Sequence, residues 1–185
     1  ARLFQKEQEM ITIIASTNRD GSKTRMVTNE VNQIVTEDLG HKDARMLDLA
    51  ELDWHALTKF DYKNAPEFIS RLTKEYLVPT EQFIFVVPEY NGSFPGILKL
   101  FIDLASIVNY NGLFMNSSVH LIGVSDGRTG NLRGLDQLSC ILRHMGAKVI
   151  YKPMPISSIG KELVDGKLNL GLRKSLKNYL VNLRL

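Results

Sequence analysis

Short runs of β-prone apolar residues alternate with stretches of helical periodicity along nearly the whole chain, and this alternation limits the fold more than any other feature. The apolar runs fall at residues 10–15, 44–49, 82–88, 119–124 and 147–151. Helical patterns occupy 24–39, 66–76, 95–108, 132–145 and 170–183. Runs that are apolar at consecutive positions need burial on both faces, so helices must cover both sides of a parallel sheet. Right-handed crossovers between successive units then give a three-layer α/β/α, doubly wound architecture. Five such strands suit a parallel sheet in the order 2-1-3-4-5, whose winding reverses between strands 1 and 3. Ligands of open α/β sheets bind outside the carboxyl edge at that reversal.

A length of 185 residues with 44% hydrophobic content suits one well-cored domain over 1–185, in which 1–9 forms an N-terminal extension. The net charge of +3 is spread along the chain, which speaks against a nucleic-acid partner. Arg173, Lys174 and Lys177 read as the solvated face of a terminal helix. No apolar run approaches the roughly 20 residues that cross a bilayer, and residues 1–9 lack a signal-peptide core. A cytoplasmic address is therefore expected, with no membrane partner. The single cysteine, Cys140, excludes an internal disulfide. It lies in an apolar helical stretch and is expected to be buried. His41, His55, His120 and His144 are scattered without metal-ligand spacing, so no metal site is expected.

Two loops carry chemistry. The first follows strand 1: Ser16-Thr17-Asn18-Arg19-Asp20-Gly21-Ser22-Lys23-Thr24. Hydroxyl and amide side chains with Arg19 and Lys23 gather where a helix begins. Free N–H groups and the positive end of the helix dipole favour a phosphate there. A P-loop and the Gly-x-Gly-x-x-Gly fingerprint are both missing, which favours a mononucleotide over a tightly held dinucleotide. The second follows strand 3: Pro88-Glu89-Tyr90-Asn91-Gly92-Ser93, with Pro95 opening the next helix. This polar, aromatic turn suits a flat ring with polar edges.

The first loop, followed about 64 residues later by Pro88-Glu89-Tyr90-Asn91-Gly92-Ser93-Phe94-Pro95-Gly96-Ile97-Leu98-Lys99, resembles the NAD(P)H-dependent FMN reductase family. The resemblance implies a flavodoxin-like fold, tight non-covalent FMN, NAD(P)H as electron donor and a homodimer or homotetramer. It implies that Ser16, Asn18, Ser22 and Thr24 hold the FMN phosphate with Arg19 nearby. Pro88, Glu89, Tyr90, Asn91 and Gly92 would line the isoalloxazine, mainly through backbone N–H groups and the Tyr90 ring. The third loop, Ser125-Asp126-Gly127-Arg128-Thr129-Gly130-Asn131, would flank the ring's other side, through Ser125 and Gly127. Ala15 stands where the family commonly has glycine.

This resemblance agrees with the absence of a convincing catalytic set, because a flavin performs hydride chemistry itself. No residue is assigned a catalytic role. Glu89 is expected to turn its carboxylate away from the ring, pairing with a base or capping a helix. The implied activity is ping-pong transfer of hydride from NAD(P)H through FMN to a small-molecule acceptor: a flavin, quinone, azo compound or chromate-like oxyanion. The alternatives are a flavodoxin-type electron carrier, which would typically be acidic, and an FMN-binding interaction protein. Apolar residues in the third helix (Ile97, Leu98, Leu100, Phe101, Leu104, Ile107, Val108) exceed the stripe that one sheet face requires. The surplus predicts a subunit interface. Two longer loops, at 50–65 and 152–167, are candidates for function or subunit contact.

Overall fold

A computed structural model describes residues 9–57 and 63–181. The chain runs β1 (Ile11–Ala15), α1 (Lys23–Gln33), β2 (Arg45–Asp48), α2 (Glu67–Leu72), β3 (Gln82–Pro88), α3 (Gly96–Leu113), β4 (Ser118–Val124) and α4 (Leu132–His144). It continues as β5 (Lys148–Val149), β6 (Met154–Ile156), α5 (Ile159–Glu162), β7 (Leu163–Val164), β8 (Lys167–Leu168) and α6 (Leu170–Leu180). The main sheet has the order β2-β1-β3-β4-β5, with every pairing parallel. The expected fold, order and switch between β1 and β3 are all present.

All five residues of β1 and all seven of β3 are buried, as consecutive apolar runs in central strands require. The one polar residue inside β1, Thr12, meets Thr80 hydroxyl to hydroxyl at 2.6 Å, which offsets its desolvation. One face of the sheet packs against α2, α3 and α4, where Phe83 meets Phe114 edge to face with centroids 5.0 Å apart. The other face packs against α1 and α6 through Val27, Val31, Leu176 and Leu180.

Four expectations need correction. The fifth strand is not continuous: β5 pairs with one end of β4 and β6 with its carboxyl end, separated by Ile150–Pro153. Pro153 has no N–H to continue a ladder. The stretch 152–167, expected as a loop, carries β6, α5 and β7, and β7 forms a small hairpin with β8. The third helix runs past residue 108 to Leu113, with a break at Asn109 (φ −157°, ψ 80°). There the Asn109 carboxamide accepts the Gly112 N–H at 2.9 Å and starts one further turn. Cys140 is exposed, because α4 turns Leu135, Leu138, Ser139 and Leu142 inward and Cys140 the other way.

Parts of three other expectations fall outside the described residues: most of the 1–9 extension, 182–183 of the last helical pattern, and residues 58–62 of the 50–65 loop. Before that gap, Trp54 donates its indole N–H to the Leu49 carbonyl at 2.6 Å.

Candidate functional site

Where β1 and β3 lie side by side, their following segments leave in opposite directions, and a cleft of about 330 Å³ opens above the carboxyl edge. Its walls come from three loops and one distant segment: Arg19 to Thr24, Pro88 to Tyr90, Val124 to Asp126, and Ile159. A larger cleft of about 610 Å³ lies beside the edge strand β2 and helix α2. It is away from the switch point and from the motif residues.

The first wall is the start of α1. Ser22 takes the N-cap position and its hydroxyl accepts the Arg25 N–H at 3.1 Å. The first helical residues, Lys23 and Thr24, have no preceding carbonyl to receive their N–H groups, so these donors are left at the cleft. Thr24 is nearly buried, whereas Arg19, Asp20 and Lys23 are exposed. Lys23 Nζ lies 2.6 Å from Asp126 Oδ1, across the cleft mouth. The hydrogen bond from Lys23 holds the Asp126 carboxyl below the usual carboxylate range.

The second wall closes on itself. Tyr90 and Ser93 exchange backbone hydrogen bonds of 2.9 and 3.1 Å around Asn91 (φ 51°) and Gly92 (φ 78°). Two successive left-handed residues make a tight type I′-like turn, the conformation that Asn-Gly supplies at least strain. Pro88 has no N–H, Glu89 donates to Val124 O at 3.0 Å, and Tyr90 donates to Ser93 O. Of the expected row of ring-facing donors, Glu89 and Tyr90 thus have their N–H groups engaged within the protein.

Helix α4 buttresses this turn. Asn131 Nδ2 donates to Val87 O and Pro88 O at 3.2 and 2.9 Å. A β-carbon at Gly134 would lie 2.6 Å from Phe94 N, so only glycine lets α4 come this close. Among the described residues Glu89 pairs with no base: its carboxylate accepts the Thr129 hydroxyl at 3.2 Å.

Seven residues singled out in the sequence meet in the cleft: Arg19, Ser22, Thr24, Pro88, Glu89, Tyr90 and Ser125. Five others do not line it. Ser16 is fully buried, donating its N–H to Val86 O at 3.0 Å, and Asn18 is exposed. Asn91 and Gly92 sit at the turn's tip, and Gly127 donates its N–H to the Ser125 hydroxyl at 2.9 Å. Ile159 was not legible, because nothing local marks it. It arrives through backbone bonds from Ser125 N to Ile156 O and from Ile159 N to Ser125 O, both 3.0 Å. Thr17, one of the first loop's hydroxyls, lies with its oxygen 2.6 Å from the Tyr90 phenol, a contact that loop composition alone does not mark.

The family model described as NADPH-dependent FMN reductase matches residues 10–161. The chain belongs to this family. NADPH-dependent FMN reductases use FMN with NAD(P)H as electron donor, and this member is a flavin-dependent NAD(P)H oxidoreductase of flavodoxin-like fold.

A 2-hydroxy-1,4-benzoquinone reductase from Burkholderia sp is 20% identical over 173 residues, covering 92% of this chain and 91% of its own length. Among solved structures, the flavoenzyme NAD(P)H:(acceptor) oxidoreductase from Paracoccus denitrificans matches with a TM-score of 0.71 at 20% identity, covering 95% of this chain and 94% of that one. An NADH:FMN oxidoreductase in its apo form matches with the same TM-score of 0.71 at 16% identity, covering 95% and 88%. Among the described residues, no helix is long and apolar enough to cross a membrane.

Proposed function

We propose that FMN occupies the β1/β3 cleft with its phosphate at the start of α1 and its ring along the Pro88–Tyr90 wall. The observation that carries this reading is the junction, in one cleft, of a hydroxyl-bearing helix start with an aromatic turn. Ser22, Thr24 and the open N–H groups of Lys23 and Thr24 suit a phosphate, and Arg19 adds charge beside them. Ser16 ties this loop to β3 through its N–H to Val86 O, and Asn18 is exposed at its edge. Pro88, Glu89 and Tyr90 would border the ring on one side, and Ser125 with its Gly127 partner on the other. Asn91 and Gly92 shape the turn that presents Tyr90. Bound FMN would supply the hydride chemistry between NAD(P)H and the second substrate. The chain's part is to hold the cofactor and leave one face reachable from solvent.

Donor and acceptor would use that face in turn, which gives ping-pong kinetics. A quinone is the favoured acceptor, in line with the curated relative's name, and flavins, azo compounds and chromate-like oxyanions are further members of the class an open pocket admits. We also propose a cytoplasmic homodimer. On α3, Ile97, Leu100, Ile107 and Val108 are only half-buried, leaving an apolar strip that a second subunit would cover.

Anaerobic mixing of the FMN-loaded protein with NADPH or NADH tests the core of this reading. Rapid bleaching of the flavin band, its recovery on adding a benzoquinone, and parallel double-reciprocal plots are expected. A protein that takes up FMN but is not bleached would be a carrier or binder instead. Sedimentation velocity at micromolar protein tests the dimer.

A further inference from the structure

We infer that Thr17 is a positioning residue that stitches the first loop to the aromatic turn and so fixes where the Tyr90 ring stands at the cleft. This rests on reading the cleft as a flavin site. At the β1/β3 switch the two loops diverge, since β1 leads away to β2 and β3 leads away to β4. Any side-chain bond spanning that divergence sets the width of the crevice.

Thr17 makes such a bond. Its side chain is fully buried and its hydroxyl lies 2.6 Å from the Tyr90 phenol, 73 residues along the chain. The same oxygen accepts the Arg19 N–H at 3.2 Å, folding the first loop back over itself. A hydroxyl has one donor and two acceptor sites, so both bonds can form together, whichever group gives the proton to the other. The fold-back brings the Arg19 guanidinium to 5.7 Å from the centre of the Tyr90 ring, within cation–π range. One buried oxygen therefore orders the ring and the cation beside the phosphate end. Glu89 and Tyr90 have their own N–H groups tied up, so the backbone of the turn is already held. The Tyr90 side chain is the part still needing an anchor, and Thr17 supplies it.

The experiment uses Thr17→Val, Thr17→Ser, Tyr90→Phe and the Thr17→Val/Tyr90→Phe pair, with two readouts. In ligand-free protein Tyr90→Phe is expected to lower Tm by about 3 °C and Thr17→Val by about 5 °C, since it also strands the Arg19 N–H. The pair should fall no further than Thr17→Val alone, because the bond between the two side chains is lost in all three. In flavin titrations followed by fluorescence quenching, Thr17→Val and Tyr90→Phe are expected to weaken FMN and riboflavin alike, by about fivefold. Equal loss for both ligands places the defect at the ring, since riboflavin has no phosphate. Thr17→Ser keeps the hydroxyl and is expected within about twofold of the parent protein. Additive Tm losses, or Thr17→Val binding both flavins as the parent does, would overturn the inference alone. A parent protein that binds neither flavin would overturn the flavin reading, and this inference with it.

Discussion

The first loop and the aromatic turn reach the same cleft by opposite means. The first loop keeps its donors unspent: the Lys23 and Thr24 N–H groups begin a helix and have no intrahelical acceptor. The aromatic turn spends its donors on itself and on β4, leaving Glu89 and Tyr90 with no free N–H. An anion is best met by open N–H groups at a helix start, whereas a flat ring is best met by a wall that does not yield. The difference shows how one cleft can pair an adaptable end with a rigid end.

Loosening the rigid end should have the largest effect. Gly134→Ala places a β-carbon 2.6 Å from Phe94 N and 2.7 Å from the Ser93 carbonyl carbon, both backbone atoms of the segment that follows the turn. Helix α4 must retreat, with a loss of about 3 kcal/mol or more and a Tm lowered by about 9 °C. Because the wall itself moves, FMN and riboflavin should weaken together. A stable Gly134→Ala protein with unaltered flavin affinity would show that the wall is not held by α4.

A pH experiment distinguishes both loops from the core beneath them. His120 lies in β4, nearly fully buried, with Nδ1 unpartnered and its ring edge-on to Tyr179 at 5.5 Å. Burial lowers its pKa from 6.5 to about 4. A folded pKa below the unfolded one favours the neutral form in the fold. The associated stability is therefore complete above pH 6.5 and is lost as pH falls towards 4, a loss of about 3 kcal/mol. Tyr179, the titratable neighbour on α6, is pushed up to about 12 by burial and stays neutral throughout. Urea melts at pH 7.0 and 4.5 should show this loss, and His120→Leu should flatten it. An unchanged slope in His120→Leu would assign the acid sensitivity to carboxylates instead.

At the adaptable end a smaller and more selective effect is expected. Ser22→Ala removes the cap from Arg25 N and a hydroxyl from the cleft. Stability should fall by about 1 kcal/mol, and FMN should weaken severalfold more than riboflavin. Equal loss of both flavins would mean that the phosphate lies elsewhere.

How much of this was readable in the residues depended on range. The strands of the central sheet were legible because they are apolar on consecutive positions, and the switch point followed from their order. The turn after β3 and the start of α1 were legible as local signals. The fates of the N–H groups were not, because Glu89 spends its donor on Val124, a partner 35 residues away that only the folded sheet supplies. Ile159 escaped for the same reason, and so did the stitch between Thr17 and Tyr90. Cys140 misled because an apolar neighbourhood in sequence wraps all round a helix, whereas only one side of α4 faces the sheet.

The smallest effect on stability bears most closely on how adaptable the first loop is. Lys23 and Asp126 form a 2.6 Å ion pair, but their side chains are 45% and 69% exposed, and such pairs contribute about 0.5 kcal/mol or less. Asp126→Asn should therefore leave Tm nearly unchanged. It should nonetheless release Lys23, adding a full positive charge beside the open N–H groups. At low salt FMN should then bind about two- to fivefold tighter, and the gain should fade in molar salt, where charges more than about 3 Å apart are screened. Riboflavin, lacking the phosphate, should not respond. Tighter binding of both flavins would mean that Asp126 restrains the ring wall, and that the two ends of the cleft are less separate than their hydrogen bonds indicate.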